Sequence, residues 1–147
     1  MSEIHLTKTL AAPIDQVFEL LTDHVGYTRF RGFSKAEVLE EGEVERNGFG
    51  ALRRLVARPF KFEEAITAFE RPTRMDYLIR KVNLPITHEG GSIRLEPTAD
   101  GGTFVNWDST FTTNVPLAGP VLGKGLALAL HRGFVRLLDD IDRLSAE

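Results

Sequence analysis

The chain opens on an alternation. Ile4, Leu6 and Leu10 fall on one face of residues 3–10 and His5, Thr7 and Thr9 on the other, the period of a half-buried strand. At Ala11-Ala12-Pro13 the period changes. Pro13 suits a first helical position, where its missing N–H would be unpaired anyway. Val17, Phe18, Leu20 and Leu21 then recur at helical spacing up to Asp23. A second short helix or turn is predicted over Val25 to Phe30, ended by Gly32.

From Phe33 to Phe111 short strand-like runs alternate with turn signals. One strand holds Ala36 and Val38 and closes at Glu41-Gly42-Glu43. The next covers about 50–57, after the turn Asn47-Gly48-Phe49-Gly50. Others are predicted from Phe60 to Phe69, ended by Glu70-Arg71-Pro72, and from Met75 to Val82. The last two run from Glu89 to Glu96, before Pro97 and Asp100-Gly101-Gly102, and from Thr103 to Thr113, before Pro116. Short strands joined by turns make an antiparallel meander.

The helical period returns at Gly119-Pro120 and holds to about Ser145, roughly 26 residues or ~39 Å. Leu122, Leu126, Leu130 and Phe134 repeat every fourth residue, continued by Leu138 and Ile141. Lys124, Arg132, Arg136, Asp139 and Arg143 lie off that stripe, so one long amphipathic helix is predicted. Gly125, Ala129 and Gly133 form a small-residue row, expected to permit close packing. Asp139, Asp140 and Asp142 stand among arginines, as on a solvated face.

Composition narrows the picture. The 147 residues fit one domain, 1–147, with no repeat, linker or low-complexity tract. Lys and Arg number 18 against 21 Asp and Glu, a net charge of −3 that argues against nucleic acid as a partner. The absence of cysteine excludes disulfides, thiolate nucleophiles and cysteine-held metals. His5, His24, His88 and His131 show no metal-ligand spacing, so no metal or cofactor is expected. Nothing resembles a signal peptide or a bilayer-spanning run, so the expectation is a cytoplasmic protein without stable membrane insertion.

A long helix must bury its stripe on the sheet, and a strongly curved sheet cannot meet a ~39 Å rod along its whole length. Either a hollow remains, in the form of a small-molecule site, or the ten Phe and one Trp fill it.

Several segments together carry a family resemblance. They are Leu10-Ala11-Ala12-Pro13 with Val17-Phe18 and Leu21-Thr22-Asp23; Gly48-Phe49-Gly50-Ala51-Leu52-Arg53; Glu63-Glu64-Ala65-Ile66-Thr67 ending at Pro72; and Gly91-Ser92-Ile93-Arg94-Leu95-Glu96-Pro97 through Gly101-Gly102-Thr103 to Trp107. In this order the chain resembles the START-like, or SRPBCC, superfamily, in its polyketide cyclase/dehydrase-type branch. Phe18 stands where many relatives carry Trp. The resemblance implies an α+β helix-grip fold: a curved antiparallel sheet of about seven strands wrapped around the long C-terminal helix, with two short helices after the first strand.

Candidate lining residues follow, each beside a plainer reading. Trp107, Ser109 and Phe111 share a strand face with Val105, as cavity wall or as core. Tyr77 and Ile79 share another, and Ile93 and Leu95 a third, which Gly91 and Glu89 continue. By resemblance to the plant abscisic-acid receptors these faces meet the ligand, with Glu89 near the mouth; its plain alternative is a solvated carboxylate. The resemblance also turns Arg53 inward with Leu55, either to anchor an anionic ligand group or to pair with Glu63 or Glu64 across strands. Leu122, Leu126, Leu130 and Phe134 supply the helix side. Leu84-Pro85-Ile86-Thr87-His88 forms either a lid or an ordinary hairpin loop.

Three functions are compatible with these residues. The first is binding or transport of a small hydrophobic molecule (a lipid, isoprenoid or polyketide-like compound). The second is a polyketide cyclase or dehydratase using Ser109, Arg53, Tyr77 and a carboxylate. The third is a protein-interaction module, for which the convex sheet face would also serve a homodimer.

Overall fold

Alternation in the sequence becomes alternation in burial. In the computed structural model, which describes residues 1–117 and 119–146, every odd-numbered residue from Thr103 to Phe111 is buried. These residues form β7 (Thr103–Thr113), which pairs antiparallel with β1 (Ser2–Leu10) along its length. The other strands are β2 (Phe33–Glu40), β3 (Leu52–Ala57), β4 (Phe60–Glu70), β5 (Arg74–Val82) and β6 (Ile86–Pro97). They join one seven-stranded antiparallel sheet in the order β1-β7-β6-β5-β4-β3-β2. Neighbours in sequence are neighbours in the sheet except β1, which closes on the last strand.

Between β1 and β2 lie α1 (Ile14–Thr22) and a 3-10 turn, Val25–Arg29. Pro13 stands one place earlier than predicted, extended, and its carbonyl accepts the first helical bond from the Val17 N–H at 3.0 Å. The second short helix is thus a single 3-10 turn, whose Tyr27 is buried against Phe30 and Phe33.

The terminal helix, α2 (Gly119–Ser145), packs on β1, β7 and α1. Its C-terminal half buries Leu137, Leu138 and Ile141 in the main core with Val17, Phe18 and Leu21 of α1. Its N-terminal half packs Leu122 and Leu126 on Ile4, Ile86 and Phe111.

Two expectations about α2 are overturned. Asp140 is fully buried rather than solvated: its carboxylate accepts the Arg31 N–H and the Arg31 Nε–H, both at 2.8 Å. Burial alone would raise its pKa, but these bonds hold it below the usual carboxylate range. Asp142 likewise accepts the N–H groups of Ala11 and Ala12 at 3.3 and 3.0 Å, and so ties the helix to the end of β1. The small-residue row does not pack closely either. A Cβ built on Gly125 or Gly133 would meet nothing within 4 Å.

Candidate functional site

Because α2 sits at the β1–β7 side of the sheet, β3, β4 and β5 curve past it without filling the space between. A cavity of about 370 Å³ results, within the ~300–1,000 Å³ range of small-molecule sites. Leu55, Phe60, Phe62, Ile79, Ile86 and Phe111 line it from the sheet, and Leu130, Phe134 and Leu137 from the helix. Ala129 and Gly133 border it too, so the small residues keep open a place that larger ones would close.

Two buried polar clusters interrupt this apolar lining. In the first, the register of β3 and β4 sets Arg53 opposite Glu64. Arg53 is 4% exposed, and its Nε and Nη2 donate to Glu64 Oε1 at 2.9 and 2.7 Å. Its guanidinium also lies 4.9 Å over the Tyr27 ring, and its Nη1 donates to His24 Nδ1 at 3.1 Å. The single ring proton of His24, on Nε2, is donated to the Asn47 carbonyl at 2.9 Å. Burial, then the Arg53 charge, push the His24 pKa down to about 3 against the pull of that carbonyl, so the ring is neutral. Arg54 and Glu63, one residue along, pair with each other at 3.2 Å toward the outside.

The second cluster joins β5, β6 and β7. Trp107 Nε1–H donates to the Tyr77 hydroxyl at 3.0 Å, and Ser109 stands close to that hydroxyl. His88 Nε2 lies 2.8 Å from Ser109 Oγ, and its ring stacks on Tyr77. Its Nδ1 accepts the Ile79 N–H at 2.9 Å. That bond fixes the tautomer, because a nitrogen that accepts cannot carry the proton. Nε2 therefore holds it and donates to Ser109. Burial pushes the His88 pKa down to about 4, although the Glu89 charge opposes the shift. With Trp107 and His88 both donors, the two hydroxyl protons of Tyr77 and Ser109 can make at most one bond between them. One proton is left over in a cavity lined by both side chains.

Of the residues predicted to line a ligand site, Arg53, Leu55, Tyr77, Ile79, Trp107, Ser109, Phe111, Leu130 and Phe134 border the cavity. Ile93 and Leu95 lie in the core beside it, and Leu122 and Leu126 pack with Ile4 and Phe111 toward the start of α2. Glu89 does not reach it: it is exposed, and it accepts the Thr112 hydroxyl at 2.6 Å.

The cause is a register shift between His88 and Gly90, where Gly90 adopts φ +140°. The bulge reverses the alternation, so His88 takes the inward place that strict counting gave to Glu89. Two adjacent glycines inside a strand were the signal for it. Gly91 has its own role. The Tyr77 ring lies across it, and a Cβ there would stand 2.2 Å from Tyr77 Cζ. The segment read as a lid or a hairpin loop is shorter than expected, since Ile86, Thr87 and His88 belong to β6 and leave only residues 83–85 as loop.

A curved antiparallel sheet closed over a hollow by a long terminal helix defines the helix-grip class. The family described as "polyketide cyclase / dehydrase and lipid transport" matches residues 1–146, and the chain belongs to it. No curated protein matches the sequence. Among solved structures, a START superfamily protein from Mycobacterium smegmatis superposes with a TM-score of 0.80 at 15% identity, covering 98% of this chain and 99% of that one. The protein XoxI from Bacillus cereus gives 0.75 at 16% identity, covering 100% and 97%. The di-domain ARO/CYC BexL, from a biosynthetic pathway, gives 0.76 at 15% identity, covering 97% of this chain and 46% of that one. At these identities the likeness shows the fold alone. No helix of the described residues is long and apolar enough to cross a membrane.

Proposed function

We propose that the cavity binds a small hydrophobic molecule (lipid, isoprenoid or polyketide-like) that carries a hydrogen-bond-accepting oxygen. The unfilled space of about 370 Å³ carries this reading. Close-packed interiors leave few voids larger than a water molecule. The leftover hydroxyl proton between Tyr77 and Ser109 gives the guest's oxygen a partner. Arg53 serves as wall rather than anchor, because Glu64 pairs its charge and Glu64 and His24 together engage all three of its nitrogens.

Trp107 tests the reading, being the sole tryptophan and a lining residue. Its emission is expected to change saturably on addition of decan-1-ol, farnesol or a flavonoid. Native mass spectrometry of protein purified without detergent is expected to retain a bound small molecule. A flat response to all three compounds, with no heat of binding, would exclude the reading.

The leftover hydroxyl proton also supports a second reading, cyclisation of a polyketide-like chain, since it could stabilise a developing enolate oxygen. Such chemistry needs a base as well. Binding is favoured over it because His88 Nδ1 is occupied by the Ile79 N–H and Glu64 is held by Arg53. Turnover of a synthetic poly-β-ketone mimic that falls at least tenfold in Ser109→Ala would reverse the preference.

A further inference from the structure

The opening of the cavity carries charge that its walls do not need. Arg31 precedes β2, Arg58 lies in the turn between β3 and β4, and Arg132 and Arg136 stand one turn apart on α2; all four are exposed and border the cavity. Arg31 is held by Asp140 at 2.7 Å. The nearby carboxylates are engaged elsewhere: Glu64 with Arg53, Glu37 with Lys35 and Arg54, and Asp139 with Lys8. Among the described residues Arg58, Arg132 and Arg136 have no ion-pair partner.

Two of these arginines meet at the border of the cavity. Arg136 Nη2 lies 3.5 Å from the Arg31 carbonyl and lies across Gly32, where a Cβ would stand 2.5 Å from it. Gly32 has φ +93°, so the backbone there both turns and leaves room for the guanidinium. Like charges one helical turn apart repel, and three elements add to the same field. In a chain of net charge −3 this concentration is local.

We infer that the guest is an anionic amphiphile, its apolar body in the cavity and its carboxylate or phosphate head held at the rim by Arg58, Arg132 and Arg136. This rests on the proposal that the cavity takes a hydrophobic guest. Planar guanidinium forks match both head groups, and the pairing completes charges that the protein leaves open.

The test compares decanoate, decyl phosphate and decan-1-ol, which share one tail, by Trp107 emission and calorimetry at pH 7.5 in 20 mM salt. Both anions are expected to bind at least tenfold tighter than the alcohol, and 500 mM salt to remove most of that margin. The double variant Arg132→Gln/Arg136→Gln is expected to lose the margin and keep the affinity for decan-1-ol. Arg58→Gln, on another element, is expected to lose about threefold. The tighter anion distinguishes a carboxylate from a phosphate source.

Equal binding of alcohol and anions overturns this inference and leaves the hydrophobic site intact. No binding of any probe overturns both. An anion margin that survives in the double variant and in Arg58→Gln places the head elsewhere and also overturns it. So does inorganic phosphate that competes as well as decyl phosphate. Loss of anionic-vesicle binding in the double variant, with decanoate affinity unchanged, would make the rim a membrane-docking surface instead.

Discussion

Trp107 of β7 lies flat on Phe134 of α2, with ring centroids 4.0 Å apart and planes 7° from parallel. The pair joins the sheet to the helix at the cavity's edge, and each ring fixes the other. Phe134→Ala removes the stacking partner and extends the cavity toward solvent. Since Phe134 is only half-buried, the expected cost is about 2 kcal/mol, below the full Phe→Ala range. A melting point lower by roughly 4–8 °C is expected for a domain of this size. Trp107 emission should shift to the red and quench more readily with acrylamide. An unchanged spectrum would show that Phe134 does not shield the indole.

Arg53 and Glu64 make a buried charge pair, and such pairs are costly to break singly. Glu64→Ala leaves a guanidinium in the core with only His24 and the Tyr27 ring beside it. A loss of about 3–5 kcal/mol is expected, whereas Arg53→Met/Glu64→Leu, which removes both charges, should recover most of it. Urea denaturation of both variants gives the comparison. A double variant as unstable as the single one would mean that the pair supplies net stability.

The strands, the long helix and the inward face of β7 were legible in the sequence because a two-residue or 3.6-residue period survives wherever one face is buried. The pairing of Tyr77 with Ile79 on one face was legible for the same reason, whereas the period left Arg53 and Arg54 to either face and only the family resemblance turned Arg53 inward. Counting failed where the period broke: the bulge at Gly90 exchanged Glu89 for His88, and the two glycines that announce it also end strands. Asp140 and Asp142 were misread because helix periodicity says which face a residue is on, not which backbone N–H groups from Arg31 or Ala12 will come to meet it. The small-residue row was misread since small side chains permit either close packing or an opening. The rim arginines were invisible as a group, coming from separate elements that only the fold brings together.

His24 and His88 make stability depend on pH. Their folded pKa values lie at about 3 and about 4, both below the ordinary 6.5. Between these values and 6.5 the unfolded chain takes up protons that the folded one refuses, so acid favours unfolding. Each histidine should cost on the order of 2 kcal/mol between pH 6.5 and 4.5. That loss precedes the one from the Asp140 carboxylate, whose depressed pKa places its protonation at lower pH. Thermal melts across the window should fall steadily with pH. His88→Gln should flatten the slope by about half, and an unaltered slope would assign the proton uptake to other groups.

Gly133 separates stability from access. In a helix interior glycine costs about 1 kcal/mol relative to alanine, and a Cβ at this position meets nothing within 4 Å. Gly133→Ala should therefore stabilise the protein by up to about 1 kcal/mol and leave decan-1-ol affinity within twofold. Gly133→Phe places a ring at the cavity border, so it should lower affinity at least tenfold without a matching loss of stability. Gly125→Phe is the control: Gly125 is equally open on the same helix but lies outside the lining, so binding should not change. If Gly125→Phe and Gly133→Phe weaken binding equally, the effect comes from the helix as a whole. If only Gly133→Phe does so, the missing side chain is part of the entrance, and glycine's cost to the helix is what keeps that entrance open.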